Sequence, residues 1–362
     1  MAFNRSKPSE KYKQFENREW YNLRSVLGNS WAMFYFLLGG REAGKSYAVT
    51  RFFVDQWKTK KRPFYWMRLT ETSKQKLLTN NAEKLIDPDI RRYYDLDLVT
   101  KGDNVYEVKR DKKGTIISKE LMCRVMALST FYNDKGSGLF DLEFLKDPNM
   151  YYNICLDEMN KEKNEKRTQD ILYSFTNQLE NLIRSTKERV RIICIGNTLE
   201  EASDILAGIN FIPEAGRFGR YKLHKKRTVI DYIPLNEAYK KRREGTAANI
   251  LMPNASTFTN QINTDLSMLD TQTKLIKPQA IIKFSNDKND WFTLWNNNII
   301  HSYNGEKIKY VIMMRPYNDE VFVMKLREDV VLRYMLKGYC FRNLLIQKKF
   351  KKQIELLKPN GK

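Results

Sequence analysis

The sequence contains no apolar run that approaches the roughly 20 residues a helix needs to cross a bilayer, so it predicts no membrane-spanning segment. Cysteine and histidine are scarce, with 4 and 2 copies in 362 residues. The cysteines have no paired spacing, which argues against disulfides and a zinc site. With only two histidines, histidine-based metal binding or acid–base catalysis is not expected. Residues 1–21 are polar and lack the apolar core of a secretory signal, so we expect a cytoplasmic protein.

Acidic residues are too few to balance the basic ones. There are 43 Asp and Glu against 64 Lys and Arg, which gives a formal net charge of +21. Such an excess attracts polyanions, and this makes nucleic acid the leading candidate partner. The alternative is that the charge only keeps the chain in solution.

The length predicts two domains, because a single hydrophobic core rarely grows beyond roughly 300 residues. Residues 1–234 would form the first domain. A polar stretch at 235–265, with a basic run followed by many Pro, Asn, Ser and Thr residues, is typical of a linker or hinge. Residues 266–362 would form a smaller second domain.

Apolar runs alternate with amphipathic stretches in the first domain. Runs typical of buried strands lie at 33–38, 64–67, 151–156 and 190–195, and helical spacing marks 46–57 and 167–187. This order indicates a mostly parallel central sheet with helices on both faces. Added antiparallel strands are predicted at 105–109, 115–118 and 121–127, with a turn at 111–114.

A glycine-rich motif follows the first apolar run and opens the first helix. It matches G-x-x-x-x-G-K-[ST] and consists of Gly39, Gly40, Arg41, Glu42, Ala43, Gly44, Lys45 and Ser46. Its backbone N–H groups would surround the phosphates of ATP, while Lys45 neutralises the β and γ phosphates and Ser46 coordinates Mg²⁺. Arg41 would reach the γ-phosphate or a neighbouring subunit, or else be an exposed solubilising residue.

Two acids follow the strand at 151–156. Asp157 would hold the magnesium through water, and Glu158 would orient and polarise the water that attacks the γ-phosphate. A capping acid pair is the alternative, since such pairs are common at strand ends. Asn197, after the strand at 190–195, is a candidate sensor of the γ-phosphate if that strand neighbours the Asp157 strand; otherwise it is an ordinary turn residue.

At these residues the sequence resembles the genome-packaging ATPases, or encapsidation proteins, of small tailed phages with protein-primed linear genomes. The resemblance covers about 30–235 and rests on Arg41 in the phosphate loop, the aromatic strand 64–68, the pair Asp157 and Glu158, and the run 187–191 before Asn197. It implies an ATP-driven motor that moves double-stranded DNA into a procapsid. It also implies a homomeric ring, expected to have five subunits, at the portal vertex in the host cytoplasm, in contact with a packaging RNA.

In such rings a cation from one subunit completes the site of the next. Lys135 matches a lysine of the family, whereas the family's finger arginine falls beside Arg184 and Ser185, so Arg184 departs from the pattern. For either residue a solvated surface role is the alternative. Arg68, Lys74 and Lys76 follow the second strand, where we expect a channel-facing loop that holds DNA phosphates; a generic basic face is the alternative.

The predicted fold class is α/β: a P-loop NTPase of the additional-strand, catalytic-glutamate class, followed by a smaller α+β domain of the RNase H or nuclease-like type. Strands are expected at 280–284, 291–295, 299–303 and 310–314, with a helical, Lys-rich tail from 326. Because the run 280–284 carries no acid for two-metal catalysis, we expect this domain to lack nuclease chemistry and to bind RNA, the portal or DNA. Another ring translocase or helicase, and a nucleotide-gated basic assembly protein, remain as alternative functions.

Overall fold

The computed structural model describes most of the chain. The described residues are 21–40, 43–134, 151–160, 170–183, 189–196, 203–214, 217–234, 237, 241, 244–251, 266–314 and 320–357. They belong to two compact units, one of residues 1–200 and 215–262 and one of residues 201–214 and 263–362. This division differs from the predicted boundaries, since 201–214 falls in the second unit and most of the predicted linker falls in the first. None of the helices within the described ranges has the length and apolar character to span a membrane.

The secondary structure of the described residues is as follows. The helices are α1 (Arg24–Leu27), α2 (Lys45–Lys60), α3 (Glu71–Ala82), α4 (Pro88–Tyr94), α5 (Ile171–Ile183), α6 (Asp204–Gly208), α7 (Ala247–Leu251), α8 (Glu320–Met335) and α9 (Leu344–Leu357). The strands of the first unit are β1 (Phe34–Leu38), β2 (Phe64–Arg68), β3 (Leu98–Lys101), β4 (Asn104–Arg110), β5 (Ile116–Ala127), β6 (Tyr152–Asp157), β7 (Val190–Gly196), β8 (Gly219–Leu223) and β9 (Thr228–Tyr232). Those of the second are β10 (Pro278–Lys283), β11 (Trp291–Trp295), β12 (Ile299–Ser302), β13 (Val311–Met313) and β14 (Cys340–Phe341).

The first unit is built on a nine-stranded sheet with the order β3-β4-β5-β2-β6-β7-β1-β9-β8. The six strands from β5 to β9 in this order pair in parallel, and antiparallel partners extend the sheet at both edges. The central strands are apolar throughout because they are buried on both faces, as in other parallel sheets. The predicted mixed α/β fold with a large, mostly parallel sheet is therefore confirmed.

One strand prediction was wrong in detail. The runs at 115–118 and 121–127 form a single strand, β5, because no glycine, proline or turn interrupts the polar residues between them. Pairing with β4 continues through that stretch, with Glu107 opposite Glu120 and Val108 opposite Lys119. On the β5 side, residues 116–120 are exposed or half-buried and show no alternation of buried and exposed residues, so the polar pair Lys119 and Glu120 resembled a break between strands.

Helix α2 follows β1 and packs an apolar stripe on the sheet. Val49, Phe53 and Trp57 are buried at i, i+4 and i+8, the spacing of one helix face. Phe53 contacts Phe64 and Trp66 of β2, with ring centroids 5.1 and 6.4 Å apart. This packing fixes the start of the helix, which carries the glycine-rich motif.

The three parallel strands β1, β6 and β7 end at the same edge of the sheet. Leu38 of β1 is paired with Gly196 of β7, and Asp157 of β6 is paired with Ile195. Strand β7 therefore lies between the strand that leads into the glycine-rich motif and the strand that leads into the acid pair. Both chemical motifs are positioned at this edge.

The second unit has a five-stranded sheet with the order β13-β10-β11-β12-β14. Strands β10, β11 and β12 form an antiparallel meander, and β13 runs parallel to β10. Helix α9 buries Ile346, Phe350 and Ile354 against one face of this sheet. The expected strands are present, but the helical tail is not continuous, because β14 separates α8 from α9.

Candidate nucleotide-binding site

The glycine-rich loop joins β1 to α2 and depends on glycine at two described positions. A Cβ added to Gly39 would lie 2.9 Å from Cβ of Ile233, so a side chain there would collide with the end of the neighbouring strand segment. Gly44 precedes the helix with φ of 82°, a left-handed conformation that glycine adopts without steric cost. The loop thus passes close to its neighbours before the helix begins.

Lys45 is the first residue of α2, and only 4% of it is exposed. Its ammonium group donates to the carbonyl oxygens of Gly39 and Gly40, at 2.9 and 2.6 Å from Nζ. Burial lowers the pKa of Lys45 to about 8, and the attraction of Asp157 partly opposes this effect. The motif therefore holds a buried cation within its own loop.

The acid pair meets the motif through a direct contact. Ser46 Oγ donates to Oδ1 of Asp157 at 3.1 Å, and the Glu158 N–H donates to the same oxygen at 3.1 Å. Burial raises the pKa of Asp157, while the attraction of Arg68 acts in the opposite direction. Glu158 has φ of 56°, a left-handed conformation that is unfavourable for a residue with a side chain and recurs at functional sites.

Arg68, the last residue of β2, bridges both acids. Its Nη2 lies 2.8 Å from Oδ2 of Asp157, and its Nη1 forms a second ion pair with Oε2 of Glu158. Burial acts to lower the pKa of Arg68, but the attraction of the two carboxylates outweighs it and leaves the pKa above its ordinary value. Asp157 is 3% exposed and thus gains its compensating charge largely from Arg68.

Replacing Arg68 with glutamine should destabilise the protein strongly, because it leaves the buried Asp157 carboxylate without its guanidinium partner. We expect the free energy of unfolding, measured by urea titration, to fall by about 3–5 kcal/mol. The matched control is Arg110→Gln, which breaks the Arg110–Asp97 pair between two half-exposed side chains. Its expected loss is at most about 1 kcal/mol, and equal losses in the two variants would contradict the structural role of Arg68.

A cavity of about 340 Å³ opens beside the acid pair. Its polar wall includes Ser46, Arg68, Asp157 and Glu158, and its apolar wall includes Tyr47, Trp66, Leu77, Leu85 and Ile90. The Glu158 side chain is 53% exposed, in contrast to the buried Asp157. The two acids thus differ in environment: one is held against the helix start and the other is accessible to water.

Ser46 and Asp157 form a donor set that suits Mg²⁺. Both offer hard oxygen ligands, and magnesium sites with nucleotides commonly use one or two protein oxygens together with phosphate and water. Within the described ranges, no three His, Cys, Asp or Glu side chains gather in a way that could hold a metal by themselves. The residues present therefore fit a magnesium ion that is held jointly with a phosphate.

The lowered pKa of Lys45 predicts a pH dependence for nucleotide binding at this site. A triphosphate favours the ammonium form, so binding above pH 8 must take up a proton, and affinity falls as pH rises. Between pH 7 and pH 9 we expect the Kd of a non-hydrolysable ATP analogue to rise about tenfold, as measured by calorimetry. In Lys45→Arg the cation keeps its charge, so whatever affinity remains should be flat over this range. A pH-independent Kd in the wild type would show that Lys45 does not titrate there.

The structure brings together four of the predicted site residues: Lys45, Ser46, Asp157 and Glu158. Gly39, Gly40, Ala43 and Gly44 belong to the loop around Lys45, and the Tyr21 N–H donates to the carbonyl of Ala43 at 3.1 Å. Strand β7, which leads to Asn197, does neighbour the Asp157 strand. Arg41, Glu42, Lys135, Arg184 and Asn197 themselves lie outside the described residues.

The three predicted DNA-contacting residues do not lie in a loop, so that placement was wrong. Arg68 is the last residue of β2. Lys74 and Lys76 lie on helix α3, whose N-cap residue is Thr70. Lys74 is buried, with Nζ 2.7 Å from Glu71 and 2.8 Å from Asp103. Lys76 is exposed, and its contact with DNA stays a prediction.

The role of Arg68 beside the acid pair was missed from the sequence. The available signal was its position at the end of a strand, but only the pairing of β2 with β6 brings that strand end to Asp157.

Fold and site together define a mixed α/β protein whose large sheet carries a glycine-rich phosphate-loop motif and a carboxylate pair at one edge. Among solved structures, a chain of the bacteriophage phi-29 viral genome packaging motor assembly is similar over 94% of this chain and 99% of that chain, with a TM-score of 0.63 and 18% identity. A chain of the phi-28 DNA packaging motor is similar over 95% of this chain and 99% of that chain, with a TM-score of 0.59 and 14% identity.

A scan against protein-family models and a search of curated proteins gave no match. At these identities the structural likeness establishes the fold, and it extends over both units. The resemblance to genome-packaging ATPases that the sequence motifs indicate is confirmed at that level.

Proposed function

We propose that this chain is an ATP-driven motor that translocates double-stranded viral DNA into a procapsid. The observation that carries the proposal is the hydrogen bond between Ser46 and Asp157, which joins the phosphate-loop motif to the acid pair. The fold shared with chains of two phage packaging motors and the net charge of +21 support the same conclusion.

In the proposed reaction, each residue acts on the triphosphate from one edge of the sheet. Lys45 and the loop N–H groups bind the β and γ phosphates, and Ser46 and Asp157 hold the magnesium ion. The ion, when bound, neutralises charge that develops on the phosphate oxygens. Glu158 orients the attacking water and accepts its proton. Arg68 must release Glu158 before that carboxylate is free to do so, because the two form an ion pair.

The strand order supports a more specific class. Strand β7 separates β1 from β6, which is the arrangement that defines the additional-strand P-loop NTPases, and Glu158 stands where their catalytic glutamate is expected. In the second unit, an antiparallel meander with a fourth strand parallel to its first supports an RNase H-like fold. We propose that this unit lacks nuclease activity and contacts RNA, the portal or DNA.

We propose that the motor acts as a homomeric ring, with five subunits, at the portal vertex of the procapsid in the host cytoplasm. The packaging RNA is a further proposed partner. Lys135 and Arg184 are the candidates for the cation that one subunit supplies to the site of the next.

The test is ATP hydrolysis by the full chain, measured alone, with double-stranded DNA, and with DNA, procapsids and their RNA together. A packaging motor should hydrolyse fastest with the complete set, and the DNA should become resistant to added nuclease as it enters the procapsid. Full stimulation by DNA alone, without procapsid-dependent protection, would instead favour a general translocase or helicase.

A further inference from the structure

The hairpin formed by β4 and β5 reaches beyond the rest of the sheet. Pairing of β3 with β4 stops at Glu107, and pairing of β2 with β5 covers only 123–127. Beyond Val108, whose N–H still donates to the Asp97 carbonyl at 2.9 Å, the described segments 109–110 and 116–118 pair with each other and with no other strand. We call residues 108–120 the basic hairpin.

The turn of the basic hairpin is fixed by its acid. The Asp111 carboxylate accepts hydrogen bonds from the backbone N–H groups of Lys113 and Thr115, at 2.9 and 2.8 Å. Gly114 adopts φ of 86°. This geometry places Lys112 and Lys113 at the tip, where both side chains are exposed. Asp111 thus holds the turn while the lysines project from it.

The other acids near the basic hairpin are already paired at its base. Glu107 accepts hydrogen bonds from Trp57 Nε1 and Lys58 Nζ of α2, both at 2.6 Å, and Glu120 pairs with Lys61, the residue that follows this helix. The remaining acid nearby, Asp97, lies 2.7 Å from Arg110 Nε.

Four lysines are left with no acidic partner among the described residues: Lys109, Lys112, Lys113 and Lys119. All four are exposed, and Lys119 lies over the Tyr106 ring with its Nζ 3.9 Å from the centroid. Their charges are therefore available to a partner outside the chain.

A protruding two-stranded ribbon with unpaired lysines fits a particular kind of polyanion. The major groove of B-form DNA is about 12 Å wide and admits a β-ribbon, whereas the major groove of A-form RNA is too deep and narrow for side chains to read. Lysines act as point charges towards phosphates and carry no preference for base sequence. Double-stranded DNA is thus the partner whose shape and charge match the basic hairpin.

We propose that the basic hairpin enters the major groove of double-stranded DNA, and that Lys112 and Lys113, its central residues, contact the phosphates along that groove. This contact is separate from the nucleotide site and requires neither hydrolysis nor packaging. A chain that binds DNA through the hairpin but fails to package it would overturn only the proposed function.

The test uses the full chain with Lys112→Ala and Lys113→Ala combined. Asp111 and Gly114 are kept, so the turn should persist, and an unchanged urea midpoint confirms folding. Affinity for a short DNA duplex is measured against salt concentration. We expect the slope of log K on log salt to fall in magnitude by about 2, since each phosphate contact contributes about 0.9. ATP hydrolysis in the absence of DNA should be unchanged.

The matched control combines Lys225→Ala with Lys226→Ala. These lysines are exposed in the short turn between β8 and β9 of the same unit, so the variant removes the same charge from a similar place. Its salt slope should stay near that of the wild type. If the salt slope changed equally in the two variants, the effect would come from net charge rather than from the hairpin, and the proposal would be overturned.

Two further outcomes would also overturn it. Loss of affinity for duplex RNA, with DNA binding unchanged, would assign the basic hairpin to RNA. A loss of procapsid binding in Ile117→Ser, with no effect of the lysine substitutions on DNA, would assign it to a protein partner, because Ile117 is 67% exposed beside the lysines. Combining Lys112→Glu with Lys113→Glu should weaken DNA binding further than the two alanine substitutions do.

Discussion

Glu158→Gln should stop ATP hydrolysis while leaving nucleotide affinity within about twofold of the wild type. The substitution keeps the size of the side chain but removes its charge, and with it the ion pair to Arg68 and the ability to accept a proton from water. General bases contribute about 10²–10⁴-fold to rates, so kcat should fall by at least about 100-fold. Because the Glu158 carboxylate does not contact Lys45 or Ser46 in the structure, triphosphate binding should persist. The measurement pairs steady-state hydrolysis with calorimetric binding of a non-hydrolysable analogue.

The control for this prediction is Glu83→Gln. Glu83 lines the same cavity and is exposed, so the chemical change is identical and only the position differs. It should hydrolyse ATP at nearly the wild-type rate. If Glu158→Gln kept more than a tenth of the wild-type kcat, Glu158 would not be the base, and an assembly protein with a nucleotide site that only gates binding would explain the sequence better.

Lys45→Ala should lose nucleotide affinity by about 100-fold or more, because charge-assisted hydrogen bonds of a buried cation are worth about 1.5–3 kcal/mol each. The same change removes a buried charge whose pKa is already lowered to about 8, so the fold itself should not suffer in proportion. Calorimetry with an ATP analogue and urea unfolding of the same preparation separate the two effects.

Lys60→Ala is the matched control, since Lys60 is exposed at the other end of the same helix. Its affinity should equal that of the wild type. Wild-type affinity in Lys45→Ala would show that the phosphate loop does not bind the nucleotide. A large loss of unfolding free energy in that variant alone would assign Lys45 a structural role.

The central sheet and the nucleotide motifs were predictable because their signals are local. An apolar run bounded by glycines, a helix opening with Lys45 and Ser46, and a second apolar run ending in Asp157 each appear within a few residues. Parallel strands then bring their ends to one edge by geometry alone. This is why the contact between Ser46 and Asp157 agrees with the sequence interpretation across 111 positions.

Arg68 could not be assigned correctly for the opposite reason. Its partners are 89 and 90 positions away, and the pairing of β2 with β6 has no signature in the sequence near Arg68. Lys74 was placed wrongly because it is buried and forms ion pairs with Glu71 and Asp103. The sequence shows that the residue is basic but does not show these partners. The sequence gives the number of lysines and arginines in a basic protein, but it does not show which of them are exposed, since their partners are set by tertiary structure.

The hairpin strand β5 shows a related limit. Both strands of the basic hairpin and its turn were predicted, but β5 was divided in two, because periodicity identifies strands that bury a face and residues 116–120 bury none. The assignment of 201–214 to the second unit was not predicted for a similar reason. This segment contains only a short helix, and nothing in its sequence indicates which unit it packs against.

The most direct test of the central claim is a structure of the full chain with magnesium and a non-hydrolysable ATP analogue. We expect the triphosphate to lie between the glycine-rich loop and the acid pair. Lys45 Nζ should bond phosphate oxygens, Ser46 and Asp157 should hold the metal, and Arg68 should no longer be paired with Glu158. A nucleotide bound elsewhere, or one that leaves Lys45 on the Gly39 and Gly40 carbonyls, would contradict it.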